Sequence, residues 1–118
     1  MIGVDIVKIE RIAQKIASET FLIGVFTKSE IEYYNQQGGK AETLAGLFAV
    51  KEAVSKALRT GFDGFKPIDV EVIHDDYGAP DVILHNKAKE FLSNRQIQIS
   101  ISHDGDYAVA MCIILNNN

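Results

Sequence analysis

The sequence predicts an α+β fold in which an antiparallel sheet packs against one long central helix, with one such unit per chain. Three stretches carry that reading. Residues 41 to 59 favour helix and bear apolar residues around nearly the whole circumference, as a centrally buried helix does. Near the end, "QIQISIS", "HDGD" and "YAVAMCIIL" read as an alternating strand, a turn and a wholly apolar strand, a hairpin with one deeply buried arm. The opening "IGVDIV" is extended in character and makes a further strand. With 118 residues, 47% of them hydrophobic, the chain suffices for one core and not two, so residues 1 to 118 are expected to form a single domain.

Taken in order, the first strand puts Ile2, Val4 and Ile6 on one face and Asp5 on the other. Ile9, Ile12, Ala13 and Ile16 then recur at helical spacing and leave Lys8, Arg11 and Lys15 on a common outward stripe. "TKSE" at 27 to 30 fits a capping box, in which the Thr27 hydroxyl accepts from the Glu30 backbone N–H while the Glu30 side chain reaches back. A second short helix starts there and stops before Gly38 and Gly39. The long helix runs from about Ala41 to Arg59, and Gly61 and Gly64 in "RTGFDGF" end it. "IDVEVI" alternates like a strand, "DDYGAP" turns, "DVIL" extends again, and a helix near His85 to Ser93 precedes the hairpin. No internal repeat is visible, and low complexity is confined to the tail Asn116 to Asn118.

A formal net charge of -4 supplies no broad basic field for a phosphate backbone, which argues against general nucleic-acid binding. Cys112 is the single cysteine, so no internal disulfide is available; its apolar neighbours suggest an inert buried thiol and the cytoplasm as the default compartment. The longest hydrophobic run, Tyr107 to Leu115, is about half of the roughly 20 residues a spanning helix needs. The amino terminus lacks a basic region followed by a long apolar one, so neither an export nor a membrane segment is expected.

The stretch "FAVKEAVSKAL" at 48 to 58 sets charges into the most apolar helix of the chain. Glu52 and Lys56 stand one turn apart, and as a plain exposed pair they contribute only a few tenths of a kcal/mol, on the order of 0.2–0.5. On a helix apolar nearly all round, burial without full compensation costs several kcal/mol. A divalent cation held by Glu52 and a second carboxylate compensates it, especially where a phosphate ligand completes the shell and meets Lys56. Asp5, an acid interrupting an otherwise hydrophobic strand, is the natural second carboxylate. Two oxygen ligands from separate elements, without thiolates or a histidine pair at zinc-like spacing, suit magnesium rather than zinc.

His103 closes the alternating strand and enters the turn, either as a simple turn histidine or as a donor to a phosphate. Ser100 and Ser102 share its face only if the strand bends. His74, in "HDD", looks like part of a solvated turn, and neither it nor His85 is assigned a metal. The stripe of Lys8, Arg11 and Lys15 is either a solvated helix face or a docking surface for an acidic partner.

"GVD" at 3 to 5, "FAVKEAVSKA" at 48 to 57 and "SISH" at 100 to 103, in this order and in a chain of this size, resemble the holo-acyl-carrier-protein synthases, the small class of 4'-phosphopantetheinyl transferases. The resemblance extends over essentially the whole chain, through "FTKSE" at 26 to 30, "LAG" at 44 to 46, "TG" at 60 to 61 and the turn with Gly78 and Pro80. Its specific part is K-E-A-x-x-K-A joined to an early G-x-D and a late S-x-S-H. It implies the 4'-phosphopantetheinyl transferase fold. It also implies transfer of the phosphopantetheine arm of coenzyme A to a serine of apo acyl carrier protein, with release of adenosine 3',5'-bisphosphate, in fatty acid biosynthesis.

Carried onto this sequence, the resemblance implies magnesium on Asp5 and Glu52 and Lys56 at the transferred phosphoryl group. Ser102, His103 and the backbone near Thr60 and Gly61 would surround the nucleotide part of coenzyme A, with Pro80 a wall beside the adenine. A water on the ion and Glu52 both remain open as acceptor of the serine proton. The family pattern further implies a homotrimer with each active site between neighbouring subunits. It gives Lys8, Arg11 and Lys15 a partner in the acidic helix of acyl carrier protein.

Four positions depart from the pattern. Leu47 stands where many relatives have Arg, Arg59 where Gly is common and Ala79 where Lys is frequent, while Lys40 is the one base in the loop before the long helix. These leave the metal set intact and bear on recognition of the 3'-phosphate. Two other readings stand beside the enzyme: a coenzyme A or nucleotide-binding trimer of the same fold without turnover, and a small scaffold that recruits an acidic partner and needs no magnesium.

Overall fold

The structure, a computed structural model, describes residues 1 to 116; the end of the asparagine tail lies outside the described residues. β1 (Ile2–Lys8) runs directly into α1 (Ile9–Lys15), followed by α2 (Glu19–Val25), α3 (Lys28–Gln36) and α4 (Ala41–Ala57). A 3-10 turn at Pro67–Asp69 leads to β2 (Val70–His74), β3 (Pro80–Leu84), α5 (Asn86–Leu92), β4 (Gln96–Asp104) and β5 (Tyr107–Leu115). Both sheets are antiparallel, one with the order β1-β5-β4 and the other the β2-β3 hairpin. The chain adopts the expected α+β class.

α4 is the axis of the molecule. From Leu44 to Ala57 every residue is buried apart from Glu52 and Lys56, because the three-stranded sheet covers one side and α1, α3 and β2 cover the rest. The helix stops at Ala57, short of the expected Arg59. Arg59 takes a left-handed conformation at φ 62°, and the N–H groups of Thr60 and Gly61 both donate to the Ser55 carbonyl, at 3.3 and 3.2 Å.

β1 lies on α4 at backbone distance. A Cβ built on Gly3 would come within 2.0 Å of the Ala53 oxygen and 2.6 Å of the Ala57 nitrogen, so only glycine permits the approach. This contact decides which face of β1 turns inward: Gly3 and Val7 are buried, whereas Ile2, Val4 and Ile6 are 65%, 56% and 64% exposed. β5 behaves alike. Ala108, Ala110, Cys112 and Ile114 enter the core while Tyr107, Met111 and Leu115 stay exposed, so the arm expected to be deeply buried is buried on one face only. The reason is that within the chain α4 covers a single side of this sheet.

The Thr27 capping box forms as expected, with Glu30 N–H donating to Thr27 Oγ1 at 3.2 Å and Thr27 N–H donating to Glu30 Oε1 at 2.8 Å. Glu30 does more than cap. Fully buried, it accepts from Lys51 Nζ at 2.8 Å and from the Val72 N–H at 2.9 Å, and Lys51 also donates to the carbonyls of Pro67 and Val70. The pair ties α3, α4 and β2 together. Burial holds the Lys51 ammonium below the ordinary lysine range, and the charge of Glu30 pulls it back up. Of the charges in "FAVKEAVSKAL", the one that is truly interior is therefore Lys51.

α2 is an element absent from the sequence reading. Ser18 starts it by accepting from the Phe21 N–H at 3.2 Å, but none of its residues is fully buried, so its apolar period is faint. Cys112 is buried, and desolvation pushes its thiol up to about 12, consistent with an inert residue. Among the described residues no helix is long and apolar enough to cross a membrane.

Candidate active site

Two residues beyond Gly3, Asp5 shares the inward face of β1 and reaches the last turns of α4. Its Oδ1 accepts from Lys56 Nζ at 2.8 Å, and the same ammonium donates to the Val4 carbonyl at 3.1 Å. Glu52 lies one turn earlier on α4. Burial first, and then the charge of Asp5, push its carboxyl above the usual glutamate range, while Lys56 and Arg11 draw it back. The structure thus gathers Asp5, Glu52 and Lys56, with Arg11 at the rim.

A glutamate whose carboxyl is raised by the charge of a neighbouring aspartate lies in a concentration of negative oxygens, a seat for a hard cation. The donors are oxygens alone, and among the described residues there is no group of three or more His, Cys, Asp and Glu able to hold a metal. Such a pair suits magnesium, which keeps waters and takes phosphate oxygens instead of a full protein cage. The residues fit the expected ion.

His103 occupies a different place. Its ring rests on α4 where Gly46 leaves room, since a Cβ there would lie 2.9 Å from Nε2. That nitrogen is 2.9 Å from the Glu42 carbonyl oxygen, which can only accept, so Nε2 carries the proton and Nδ1 is left for another partner. Ser102 does not join it. β4 continues without a bend to Asp104, which puts Ser100 and Ser102 on the opposite, exposed face, so within one chain Ser102 and His103 do not share a face.

Asp5 on β1 and His103 on β4 flank β5, about 10 Å apart in strand spacing. Their contacts on α4, Lys56 and Gly46, are about 15 Å apart along the helix. One chain does not gather them around a point. A ligand that touches both must span that length or lie between chains. Pro80 is on the β4 side, in a groove of about 570 Å³ with Asp81 and Gln96 to Ile99. The N–H groups of Thr60 and Gly61, expected to face a nucleotide, are committed to closing α4, and the Thr60 hydroxyl donates to the Gly61 carbonyl at 2.8 Å.

The basic stripe divides. The Arg11 guanidinium lies 5.7 Å over the Phe48 ring and the Lys15 ammonium 5.6 Å over the Phe21 ring, and the two rings are 6.4 Å apart. Lys8 instead lines a groove with Glu10, Glu42 and Asp106. The aromatic pair was missed in sequence because Phe48 reads as one more core residue; its place one turn before Glu52 was the available signal. Of the departures, Leu47 is a core side chain at 2% exposure and Lys40 precedes α4 without a side-chain cap.

The chain belongs to the 4'-phosphopantetheinyl transferase superfamily, which residues 1–112 match. Its similar relatives are holo-acyl-carrier-protein synthases. One from Fusobacterium nucleatum is 45% identical over 118 residues, 97% of each chain, and one from Clostridium botulinum is 48% identical over 116 residues, 96% of this chain and 94% of the relative. The solved Neisseria meningitidis synthase superposes with a TM-score of 0.86 at 28% identity, over 98% of this chain and 97% of that one. The Helicobacter pylori synthase, solved in complex with coenzyme A, gives a TM-score of 0.84 at 34% identity, over 97% and 99%.

Proposed function

We propose that this chain transfers the 4'-phosphopantetheine group from coenzyme A to a serine hydroxyl of apo acyl carrier protein and releases adenosine 3',5'-bisphosphate, in service of fatty acid biosynthesis. The observation that carries the reading is the convergence of Asp5, Glu52 and Lys56 where β1 meets α4, in a chain whose relatives are holo-acyl-carrier-protein synthases. Asp5 and Glu52 hold magnesium, which when bound offsets the negative charge of the diphosphate as a Lewis acid. Lys56, half-exposed on a flexible stem, neutralises the phosphoryl group in transfer. The serine oxygen forms the new P–O bond while the bond to the leaving bisphosphate breaks. Glu52 is a candidate acceptor for the serine proton, its proton affinity raised by burial and by Asp5.

From a neighbouring copy, His103 offers Nδ1 to the nucleotide, and the groove beside Pro80, lined also by Asp81, Gln96, Ile97, Gln98 and Ile99, offers a wall. The loop at Thr60 and Gly61 borders the same ligand, with its N–H groups kept on the Ser55 carbonyl. The working particle is a homotrimer with sites between subunits. Support comes from the uncovered sheet face, where Ile2, Val4 and Ile6 stand beside Ile113, Met111 and Val109 as one apolar surface of the kind that marks an interface. Arg11 and Lys15, seated on Phe48 and Phe21, present cations and apolar rings together and so fit an acidic amphipathic helix of the carrier. A cytoplasmic location follows the same reading, in keeping with a single buried thiol.

The test is to incubate the protein with coenzyme A, magnesium and an apo carrier and to weigh the carrier by mass spectrometry. A gain of one phosphopantetheine that disappears in Glu52→Gln supports the transfer. Coenzyme A binding without that gain favours a non-catalytic binding trimer, a reading against which the joint presence of Asp5, Glu52 and Lys56 weighs.

A further inference from the structure

The Asp5 carboxylate is claimed twice. On the reading above it is a ligand of a divalent cation, yet its Oδ1 already accepts from the Lys56 ammonium at 2.8 Å. The same nitrogen is anchored to the Val4 carbonyl oxygen at 3.1 Å. Both acceptors belong to β1, so the ammonium lies against the strand and not along α4 toward Glu52. A lysine ammonium is a compact point charge on a rotatable stem, and it seeks what a hard dication seeks, a cluster of negative oxygens. Contact of both cations with one carboxylate sets them against each other at short range, where like charges repel strongly. Lys56 can leave, since its side chain is 52% exposed and its ammonium sits at the end of a rotatable stem.

We propose that Lys56 is an internal competitor for the metal seat on Asp5: its ammonium holds the carboxylate until a divalent cation arrives, then moves off β1 onto phosphoryl oxygens of the diphosphate. The inference rests on the assignment of Asp5 and Glu52 as metal ligands. Under it, the counter-ion of Asp5 and the phosphoryl contact are two successive positions of one side chain. The free protein then takes up metal weakly, and the cation is loaded together with the diphosphate. An ion pair this exposed restrains metal binding only modestly, so its removal tightens the free protein's metal affinity by about two- to fivefold.

Two measurements test this without reference to turnover. Manganese binding to the free protein is titrated by electron paramagnetic resonance for wild type, Lys56→Gln, Lys56→Met and Asp5→Asn. In parallel, the carbon-13 signal of the Lys56 ε-methylene, assigned by its loss in Lys56→Gln, is followed as magnesium is added. The expected result is tighter manganese binding in both Lys56 variants, a Lys56 signal that shifts with the midpoint of metal binding, and no such shift in Asp5→Asn. Equal or weaker manganese binding in the Lys56 variants overturns the inference, as does a Lys56 signal that stays still while metal binds. Unchanged manganese affinity in Asp5→Asn is the distinct outcome in which the metal assignment itself fails and the inference falls with it.

Discussion

Gly3 meets the carbonyl of Ala53 so closely that a methyl group in place of its hydrogen would lie 2.0 Å from that oxygen. The obstacle is helix backbone, so no side-chain rotation relieves it. Gly3→Ala is expected to lift β1 off α4, lowering stability by at least about 1–3 kcal/mol, in the range of overpacked cores. Asp5 then recedes from Lys56 and Glu52. Thermal melts read the first effect, and metal binding at permissive temperature reads the second.

Glu52 is expected to oppose stability while serving chemistry. Its folded carboxyl titrates above the ordinary 4.5 because of burial and the charge of Asp5. A glutamate raised in this way binds a proton more readily folded than unfolded, so its destabilisation is absent below the unfolded value and grows to its full extent as pH rises through the folded one. Glu52→Gln should therefore melt higher than wild type at neutral pH, with the difference closing toward pH 4. Its transfer rate should fall by more than the roughly 10–100-fold typical of lost supporting contacts at metal sites. Calorimetry across pH and the carrier mass shift check the two halves.

The Glu30 and Lys51 pair supplies a test of a different kind. Lys51→Met leaves a buried carboxylate without its cation, an expected loss of about 3–5 kcal/mol. Adding Glu30→Leu removes the stranded charge and should recover much of that loss, although the N–H groups of Thr27 and Val72 then want acceptors. A double-mutant cycle in urea measures the coupling.

Arg11→Glu is expected to raise KM for the apo carrier by about tenfold or more, with the salt dependence of the wild type lost, because charge complementarity acts mainly on encounter. Coenzyme A affinity should fall by less than carrier use, since the Arg11 guanidinium lies over Phe48 and reaches the proposed metal seat only through its charge on Glu52. An equal loss of both would assign Arg11 to the nucleotide site instead.

Val4→Asp places a charge in the centre of the uncovered sheet face, directly opposite Met111. The side chain is exposed within one chain, so the fold should survive, whereas association should not. Light scattering is expected to report monomers, and the transfer assay a loss of activity.

Much of this architecture was legible because period and chemistry coincide. The all-round apolar pattern of α4, the alternation of β4 and the capping box at Thr27 each have one dominant physical cause. The pairing of Asp5 with Glu52 and Lys56 was legible from the oddity of charge in apolar segments. Less visible was the orientation of β1, since alternation names two faces without saying which one packs, and the deciding contact is the absent side chain of Gly3. Lys51 escaped notice because its partner, Glu30, lies 21 residues away and already had a local role as a cap. Ser102 and His103 are neighbours in a motif, yet a straight strand sends them to opposite faces.

The seating of Asp5 and His103 on opposite edges of the β1-β5-β4 sheet has a corollary for mixtures. On the proposed function, chains bearing Asp5→Asn and chains bearing His103→Ala are each expected to lose turnover alone. With sites between subunits, as proposed, co-expression is expected to give hybrid particles in which an intact first edge of one copy abuts an intact far edge of its neighbour, and an assay of the mixture should find turnover that neither parent possesses. Such mutual rescue would follow from the order of three strands.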